Sequence, residues 1–346
     1  MKVLILGASY GSLLSTKLLM AGHNVTLVCR EATADLINSE GTHVRIKLRD
    51  EAEHRVISSK GLPGTVNAAT PQSAQPQEYD LVALAMQEPQ YSNASVKELM
   101  SRIASSKVPC LSIMNMPPSP YLARIALLAD AKLDDCYDDP SVWTSFEPGL
   151  VSLCSPDPQA FRPPEEKANF LHVGLPTNFK AAQFDNDAHN AMLRQLEADI
   201  AAVTLDGKDV PVKLRVHDSL FVPMAKWSML LTGNYRCVTH DSVRPIKEAV
   251  HSDIDVSAKM YAWVDDLAKA LGADAEDLVP FEKYAKAAEN LLKPSSAARA
   301  IEGGATQIER VDKLVQTVGK TLGIQSDSVD DIVQIVDARL AKNRSA

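Results

Sequence analysis

A glycine-bearing turn near the N-terminus is the first group of residues that could do chemistry. It spans residues 7–12 and follows the short apolar run of residues 3–6. A strand that leads through such a turn into a helix brings free backbone N–H groups and the positive end of the helix dipole together, which suits a pyrophosphate. The expected phosphate-binding residues are Gly7, Ser9, Tyr10, Gly11 and Ser12.

The turn departs from the usual G-x-G-x-x-G pattern of three glycines. Either Ser9 and Ser12 replace the second and third glycines, or the turn is one residue shorter and Gly11 is the third glycine. The second interpretation keeps the following helix in its usual register, so we favour it. A side chain at Ser9 would stand where the backbone should approach the phosphates, which is a complication for nucleotide binding.

Arg30 follows the next apolar run, residues 25–29. A NAD-preferring site usually has an acidic residue at the end of this strand to bond the ribose 2′-hydroxyl, whereas here Glu31 comes one step after Arg30. A guanidinium can hold a 2′-phosphate in bidentate fashion. Arg30 therefore favours NADP over NAD.

The elements around these residues predict an α/β fold for the first half of the chain. Strand, helix and strand follow one another within the first thirty residues, which indicates a βαβ unit. Later apolar runs suit a parallel sheet that is covered on both faces. The predicted strands are 3–6, 25–29, 43–48, 81–85 and 108–113, and the predicted helices between them are 12–21 and 32–39.

Two segments of this half, 62–78 and 155–167, are rich in Pro, Gln, Ser or Ala and show no periodicity. We expect them to be surface excursions that carry no chemistry.

The second half changes character, because strand-like runs disappear from about residue 220 onward. We therefore predict a Rossmann-type dinucleotide-binding domain over 1–216 and an all-helical domain over 217–346. The predicted helices of the second domain are 219–232, 256–271, 281–292, 306–322 and 328–340.

Composition excludes several classes of protein. The 346 residues carry 36 Lys plus Arg against 44 Asp plus Glu, a net charge of -8, so a nucleic-acid binder is not expected. No run approaches the length of a membrane span, and residues 3–6 are too few for a secretory signal. Five cysteines without a C-x-x-C pair indicate neither a disulfide framework nor a metal site. We expect a cytoplasmic protein that does not bind membranes.

Four stretches together resemble the ketopantoate reductase family, the 2-oxoacid reductases of pantothenate synthesis and their relatives. They are residues 2–41, the 113–116 stretch around Asn115, residues 226–234 and residues 304–309. Each motif is degraded, so the chain resembles a divergent member. The resemblance implies an N-terminal Rossmann domain, a C-terminal helical domain and an active site in the cleft between them.

The resemblance also implies roles for individual residues. Lys226 corresponds to the catalytic lysine of the family, and an ammonium can polarise a carbonyl and supply its proton. The alternative is that Lys226 lies on a helix surface beside Trp227. Asn234, eight residues on, could share the face of Lys226 and contact substrate. Asn115 would lie where nicotinamide and substrate meet, or else would satisfy its own turn.

Several positions depart from the family pattern. Gln87 stands where the reductases often have a lysine that reaches cofactor and substrate, and Gln307 stands where a glutamate binds the pantoate hydroxyl. Leu230 replaces an asparagine. Ser295 and Ser296 match the substrate-contacting serine region, although they could equally cap a helix. These losses point away from ketopantoate and toward a bulkier or less acidic carbonyl or alcohol.

The sequence thus predicts an NADP-dependent oxidoreductase for a small substrate, with Lys226 as general acid or base. Two alternatives stay open: a lyase or isomerase that uses Lys226 for proton transfer, and a non-catalytic nucleotide or ligand sensor. The substrate, the reaction direction and the oligomeric state stay open too, with a homodimer among the options.

Overall fold

The computed structural model describes residues 1–345 and divides the chain into two units. The first unit comprises 1–86, 90–121 and 141–218, and the second comprises 87–89, 122–140 and the chain from 219 onward. Two short segments from the first half of the sequence therefore belong to the second unit. The sequence-based division after residue 216 contained no such exchange.

All fourteen strands of the described chain lie in the first unit. In chain order they are β1 (Lys2–Leu6), β2 (Asn24–Val28), β3 (His43–Lys47), β4 (His54–Ser58), β5 (Val66–Ala69), β6 (Leu81–Leu84), β7 (Cys110–Ile113), β8 (Val151–Ser155), β9 (Gln159–Phe161), β10 (Phe170–Leu175), β11 (Phe179–Ala182), β12 (Thr204–Leu205), β13 (Lys208–Asp209) and β14 (Leu214–His217).

The main sheet has eight strands in the order β14-β11-β8-β7-β6-β1-β2-β5. From β5 to β8 every neighbouring pair is parallel, which is the strand order of a Rossmann fold. Strands β6 and β7 are buried along their whole length, as expected for a sheet with both faces covered. The predicted Rossmann-type sheet of the N-terminal half is confirmed.

The strands of this sheet differ from the prediction, because β5, β8, β11 and β14 were not predicted and one predicted strand lies elsewhere. β3 does not join it, but forms a second, four-stranded sheet with β4, β9 and β10. The edge position beside β2 is filled instead by β5, which lies inside the segment 62–78. β5 is an edge strand with only partly buried side chains, so it carries little apolar signal. β9 likewise lies inside 155–167, and the expectation of irregular excursions is wrong for both segments.

The α-helices of the described chain are α1 (Gly11–Met20), α2 (Glu31–Glu40), α3 (Ala94–Ser106), α4 (Ser119–Leu122), α5 (Asp187–Ala202), α6 (Lys226–Met229), α7 (Ile246–His251), α8 (Ile254–Leu271), α9 (Phe281–Ala288), α10 (Ser296–Glu302), α11 (Val311–Thr321) and α12 (Asp327–Arg344). Short 3₁₀ turns occupy Pro76–Glu78, Glu88–Ser92, Ala126–Leu128, Asp134–Cys136, Pro140–Val142, Pro148–Leu150, Val222–Ala225, Tyr235–Cys237 and Ala275–Asp277.

The C-terminal region is helical, as predicted. Its first helix is not the single element expected over 219–232, but a succession of 3₁₀, α, π and 3₁₀ turns from Val222 to Cys237. The helix expected over 306–322 begins only at Val311, because the hydroxyl of Tyr235 donates to the carbonyl of Glu309 and accepts from the N–H of Val311. Among residues 1–345, no helix is long and apolar enough to span a membrane.

Candidate functional site

The turn between β1 and α1 begins with a glycine that the fold requires. Gly7 has a φ of 104°, a conformation that side-chain-bearing residues rarely adopt. A Cβ at this position would lie 2.7 Å from the carbonyl oxygen of Ala85 and 2.7 Å from Cγ of Met86. The turn can therefore approach the end of β6 only because residue 7 is glycine.

The backbone of this turn presents a group of unused hydrogen-bond donors. Within residues 1–345, the N–H groups of Ala8, Ser9, Tyr10 and Gly11 make no hydrogen bond, whereas Ser12 is the first residue whose N–H finds a carbonyl, that of Ser9, at 3.1 Å. These donors lie at the positive end of the α1 dipole. The arrangement fits a bound phosphate or pyrophosphate.

Gly11 lies where α1 packs against the sheet. A Cβ here would stand 2.7 Å from Cγ2 of Ile5 and 3.4 Å from Cβ of Ala85, and Gly11 is the first residue of the helix. Close packing of helix on strand is the task of the third glycine in dinucleotide-binding turns. The geometry favours the interpretation in which the turn is one residue shorter than the usual pattern.

The side chains of the turn are mostly engaged by the protein itself. The Ser12 hydroxyl donates to the carbonyl of Ala8 at 2.6 Å and is buried. The Tyr10 hydroxyl donates to the carbonyl of Pro158 at 2.7 Å, and its ring meets Phe179 edge-on. Burial raises the pKa of Tyr10 well above its usual value, so the phenol stays a neutral donor. The candidate phosphate contact at Tyr10 is thus its backbone N–H, whereas the hydroxyl and the N–H of Ser12 are both bonded within the turn.

Arg30 lies at the carboxyl end of β2, beside the turn. The N–H of Gly7 bonds the carbonyl of Val28, and the N–H of Cys29 bonds the carbonyl of Ala69, both at 3.0 Å, so the ends of β1, β2 and β5 meet here. Arg30 is exposed, and its side chain forms no hydrogen bond or ion pair in the described part of the chain. Ligands of open α/β sheets bind outside these strand ends.

A second arginine, Arg162, lies close to this point and was not singled out from the sequence. It follows β9 directly and interacts electrostatically with Cys29 and Arg30. Its Nε is buried and has no hydrogen-bond acceptor among residues 1–345. No spacing or periodicity pointed to Arg162, because Arg162 and Cys29 are far apart in the sequence.

Lys226 begins α6 in the second unit and is half-buried, while its neighbour Trp227 is 1% exposed. The helix changes to a π-turn immediately afterwards, over Leu230–Asn234. The cause is a contact with a residue distant in sequence. The Tyr284 hydroxyl donates to the carbonyl of Met229 at 3.1 Å, and a Cβ on Gly233 would lie only 1.9 Å from that hydroxyl. An inserted side-chain donor of this kind disturbs the regular helical bonding.

Asn234 ends this π-turn and is half-buried. Its carbonyl accepts a hydrogen bond of 2.7 Å from the Ser295 hydroxyl, which also accepts from the N–H of Ala298 at 3.1 Å as the N-cap of α10. Ser295 is therefore occupied twice by the fold and is 3% exposed. Ser296 is the first residue of α10 and is exposed.

The two glutamines also lie in the second unit. Gln87 is exposed and follows β6, and Gln307 is exposed and donates through its side-chain amide to the carboxylate of Asp138. Beside Gln87, the buried carboxyl of Glu88 accepts the N–H of Asp138 at 3.2 and 3.3 Å. Burial, with Asp138 and other carboxylates near it, raises the pKa of Glu88 to about 8, so Glu88 holds a proton at neutral pH. No motif or spacing in the sequence pointed to Glu88.

Asn115 belongs to the first unit. It lies just beyond the carboxyl end of β7 and is half-buried. This is the edge of the sheet at which the glycine turn and Arg30 also lie, since β1, β2, β6 and β7 run parallel.

The fold and the turn together define a unit with a Rossmann-type fold, accompanied by a helical unit. No protein-family model matches the sequence, and no curated protein matches it. Similarity is found among solved structures, where 112 chains match.

Three of these structures show the range of relatives. A ternary complex of D-mandelate dehydrogenase with NADH and anilino(oxo)acetate is 14% identical, covers 99% of this chain and 100% of its own, and has a TM-score of 0.67. The 2-dehydropantoate 2-reductase of Methylococcus capsulatus is 11% identical over 100% of this chain and 99% of its own, with a TM-score of 0.70. A dimeric ketopantoate reductase from Staphylococcus aureus is 10% identical over 99% and 100%, with a TM-score of 0.63.

The chain therefore has the ketopantoate reductase fold along its length. The resemblance noted in the sequence is confirmed at the level of the fold.

Proposed function

We propose that the protein is an NADP-dependent oxidoreductase that transfers a hydride between a nicotinamide and a small carbonyl or alcohol substrate. The observation that carries this proposal is the turn at residues 7–12, with four unused backbone donors at the start of a buried helix and an unpaired Arg30 at the neighbouring strand end. Donors placed in this way fit the pyrophosphate and the ribose phosphate of a dinucleotide.

The cofactor assignment has two parts, a nicotinamide dinucleotide in general and NADP in particular. The D-mandelate dehydrogenase structures contain NADH, which supports a nicotinamide dinucleotide in this fold. The choice of NADP rests on Arg30, because a guanidinium without a carboxylate partner is suited to a 2′-phosphate.

Lys226 is the proposed general acid in reduction and general base in oxidation. Reduction of a ketone needs a hydride on carbon, which a reduced nicotinamide supplies when bound, and a proton on oxygen. A lysine ammonium can donate that proton and can stabilise the negative charge that develops on the oxygen. Within the second unit, the segment that follows Lys226 is held by two hydrogen bonds. The Tyr284 hydroxyl donates to the carbonyl of Met229, and the Ser295 hydroxyl donates to the carbonyl of Asn234.

The substrate is proposed to be a carbonyl or alcohol other than ketopantoate. Gln87 and Gln307 carry no charge, and Leu230 is 4% exposed and apolar. The Gln307 amide is moreover held by Asp138, whose negative charge disfavours an acidic side chain at that position. A homodimer, proposed from the dimeric ketopantoate reductase neighbour, is checked by light scattering of the purified protein.

The test is a panel of 2-oxo acids, ketones and the matching alcohols, offered with each nicotinamide cofactor while the nicotinamide absorbance is recorded. We expect a substrate-dependent change in absorbance with at least one compound, and a larger kcat/KM with NADP(H) than with NAD(H). Calorimetric binding of NADPH without turnover of any compound would instead support a nucleotide sensor. Substrate conversion that leaves the nicotinamide unchanged would support a lyase or isomerase.

A further inference from the structure

The segment from Ser155 to Arg162 runs beside the dinucleotide turn instead of standing apart from it. Its middle is tied to the turn by the hydrogen bond from the Tyr10 hydroxyl to the carbonyl of Pro158, at 2.7 Å. Its end is fixed by β9, in which Ala160 and Phe161 pair with Val173 and His172 of β10. Arg162 follows Phe161 immediately, so the pairing of β9 with β10 also fixes the position of the Arg162 backbone.

The guanidinium of Arg162 lies within electrostatic range of two residues at the carboxyl end of β2. Its charge acts on Cys29 and Arg30, and its Nε is buried without an acceptor. In the described chain the guanidinium of Arg162 has no carboxylate partner, and neither does that of Arg30. The two arginines therefore interact electrostatically, and no protein carboxylate pairs with either of them in the described chain.

This arrangement is unfavourable for the protein alone. A buried N–H without an acceptor costs about 1–3 kcal/mol, and two like charges at close range disfavour each other. Cys29 offers no compensation, because burial raises the pKa of its thiol to about 11 and it stays uncharged at neutral pH. An anion with several acceptor oxygens would relieve both penalties at once.

The location identifies the anion. In dinucleotide-binding folds the residue at the end of the second strand faces the adenosine ribose, while the glycine turn faces the pyrophosphate. The segment 155–162 touches the turn at Pro158 and reaches the end of β2 at Arg162, so it follows the same direction as the nucleotide would.

We propose that Arg162 joins Arg30 to form the site of the 2′-phosphate, so that Arg162 is a determinant of the choice of NADP over NAD. This inference rests on the proposed function in that it places a dinucleotide on the first unit. It goes further in assigning a specificity role to a segment that the sequence predicted to carry none.

The experiment measures binding of adenosine 2′,5′-bisphosphate and of 5′-AMP by calorimetry. These two probes differ by the 2′-phosphate, and neither contains nicotinamide, so the result does not depend on any redox activity. The variant is Arg162→Met, which removes the charge but keeps an aliphatic stem. The matched control is Arg49→Met, an exposed arginine of the same unit that has no ion pair within residues 1–345.

We expect Arg162→Met to weaken bisphosphate binding by roughly 10- to 100-fold, the range for loss of a hydrogen bond to a charged group. Binding of 5′-AMP should stay within about twofold, and Arg49→Met should change neither. Arg162→Lys should fall between the variant and the wild type, because it keeps the charge and loses the planar fork.

Equal weakening of both probes would overturn the inference, since Arg162 would then support the adenosine or the fold. Unchanged bisphosphate binding would overturn it too. Bisphosphate binding that depends on Arg162, in a protein that oxidises and reduces nothing in the panel, would leave the inference standing while the proposed function fails.

A measurement on the wild-type chain keeps the test independent of how the variants fold. Phenylglyoxal modifies arginines, and mass spectrometry of the resulting peptides reports each site. Adenosine 2′,5′-bisphosphate should protect both Arg30 and Arg162 from modification, whereas 5′-AMP should protect them much less. Protection of Arg30 alone would exclude Arg162 from the site.

Discussion

The candidate residues of the two units differ in whether the protein itself supplies their hydrogen-bond and ion-pair partners. In the first unit the turn at residues 7–12 leaves four backbone donors unused, and Arg30 and Arg162 have no carboxylate partner within the described residues. In the second unit Ser295 is bonded to Asn234 and Ala298, and Gln307 is bonded to Asp138. The first unit leaves hydrogen-bonding groups without protein partners, whereas the second unit uses several of its candidate side chains in its own hydrogen bonds.

This difference has a physical origin. A phosphate site made of backbone N–H groups depends on chain conformation, so it survives extensive change of side chains provided that Gly7 and Gly11 keep the turn possible. A substrate site made of side chains changes with each substitution. The nucleotide half of a divergent chain can therefore be recognised while its substrate cannot.

The largest effect should come from Lys226→Ala. If the second unit supplies the acid and the first unit holds the nucleotide, turnover should fall by ~10²–10⁴-fold while NADPH affinity stays nearly constant. Lys226→Arg should restore little, because a guanidinium with a pKa above ~12 is a poor proton donor. Steady-state kinetics and calorimetry measure the two quantities.

The matched control for this prediction is Lys259→Ala, an exposed lysine on α8 that should leave turnover unchanged. If Lys226→Ala keeps more than about a tenth of wild-type turnover with saturating substrate, Lys226 is not the positioned acid.

The open turn of the first unit rests on a helix that buries a lysine. Lys17 of α1 is 1% exposed and donates to the carbonyl of Val210 at 2.9 Å. Burial, followed by the charge of Lys213 and partly offset by Asp209, lowers the pKa of Lys17 from 10.5 to about 7. Between these two values the unfolded chain binds the extra proton, so stability should rise with pH from about 7 to about 10.5.

Urea unfolding at several pH values, compared with Lys17→Met, isolates this contribution. The wild type should gain on the order of a few kcal/mol relative to the variant across that window. A constant difference between the two proteins would show that Lys17 has an ordinary pKa and that α1 is less buried than the structure indicates.

Arg30→Ala tests the specificity of the first unit. The loss of a charge-assisted hydrogen bond should cost about 1.5–3 kcal/mol of NADPH binding, with little change for NADH. Calorimetry with both cofactors measures this, and Arg49→Ala serves as the control for loss of one surface charge. Equal affinity of the wild type for NADPH and NADH would contradict the role of Arg30.

Gly11→Ala tests whether the turn depends on the close packing of α1 against β1. Its Cβ would stand 2.7 Å from Ile5, so we expect a loss of about 1–3 kcal/mol in the free energy of unfolding and weaker nucleotide binding. Gly174→Ala is the matched change, because its Cβ would meet nothing closer than the Gln159 carbonyl at 3.8 Å. Equal effects of the two substitutions would mean that the position of Gly11 is not special.

Ser295→Ala should produce the smallest effect, and on stability instead of substrate binding. Loss of the N-cap of α10 and of the bond to Asn234 should lower the free energy of unfolding by about 0.5–2 kcal/mol with KM unchanged. Ser296→Ala, at an exposed neighbour, should stay within about 0.5 kcal/mol. A raised KM without a change in stability would restore Ser295 as a substrate contact.

Local patterns account for what could be predicted. β1, the turn, α1 and β2 lie within thirty residues and carry the apolar periodicity and the glycines that their structure needs. The change to helices after residue 220 was predicted for the same reason. β5 and β9 were missed because short strands at partly exposed positions need few apolar residues. β8 was missed although it is buried, because two serines interrupt its apolar residues.

The sequence by itself determined the class of fold and the position of the glycine-bearing turn, since both depend on interactions between residues close together in the chain. Only the tertiary structure decided that Ser295 caps a helix, that Tyr284 bonds the Met229 carbonyl at the π-turn behind Lys226 and that Arg162 interacts electrostatically with Arg30. These pairings join residues far apart in sequence, and no periodicity or spacing records which distant partner a polar side chain will meet once the strands and helices have packed.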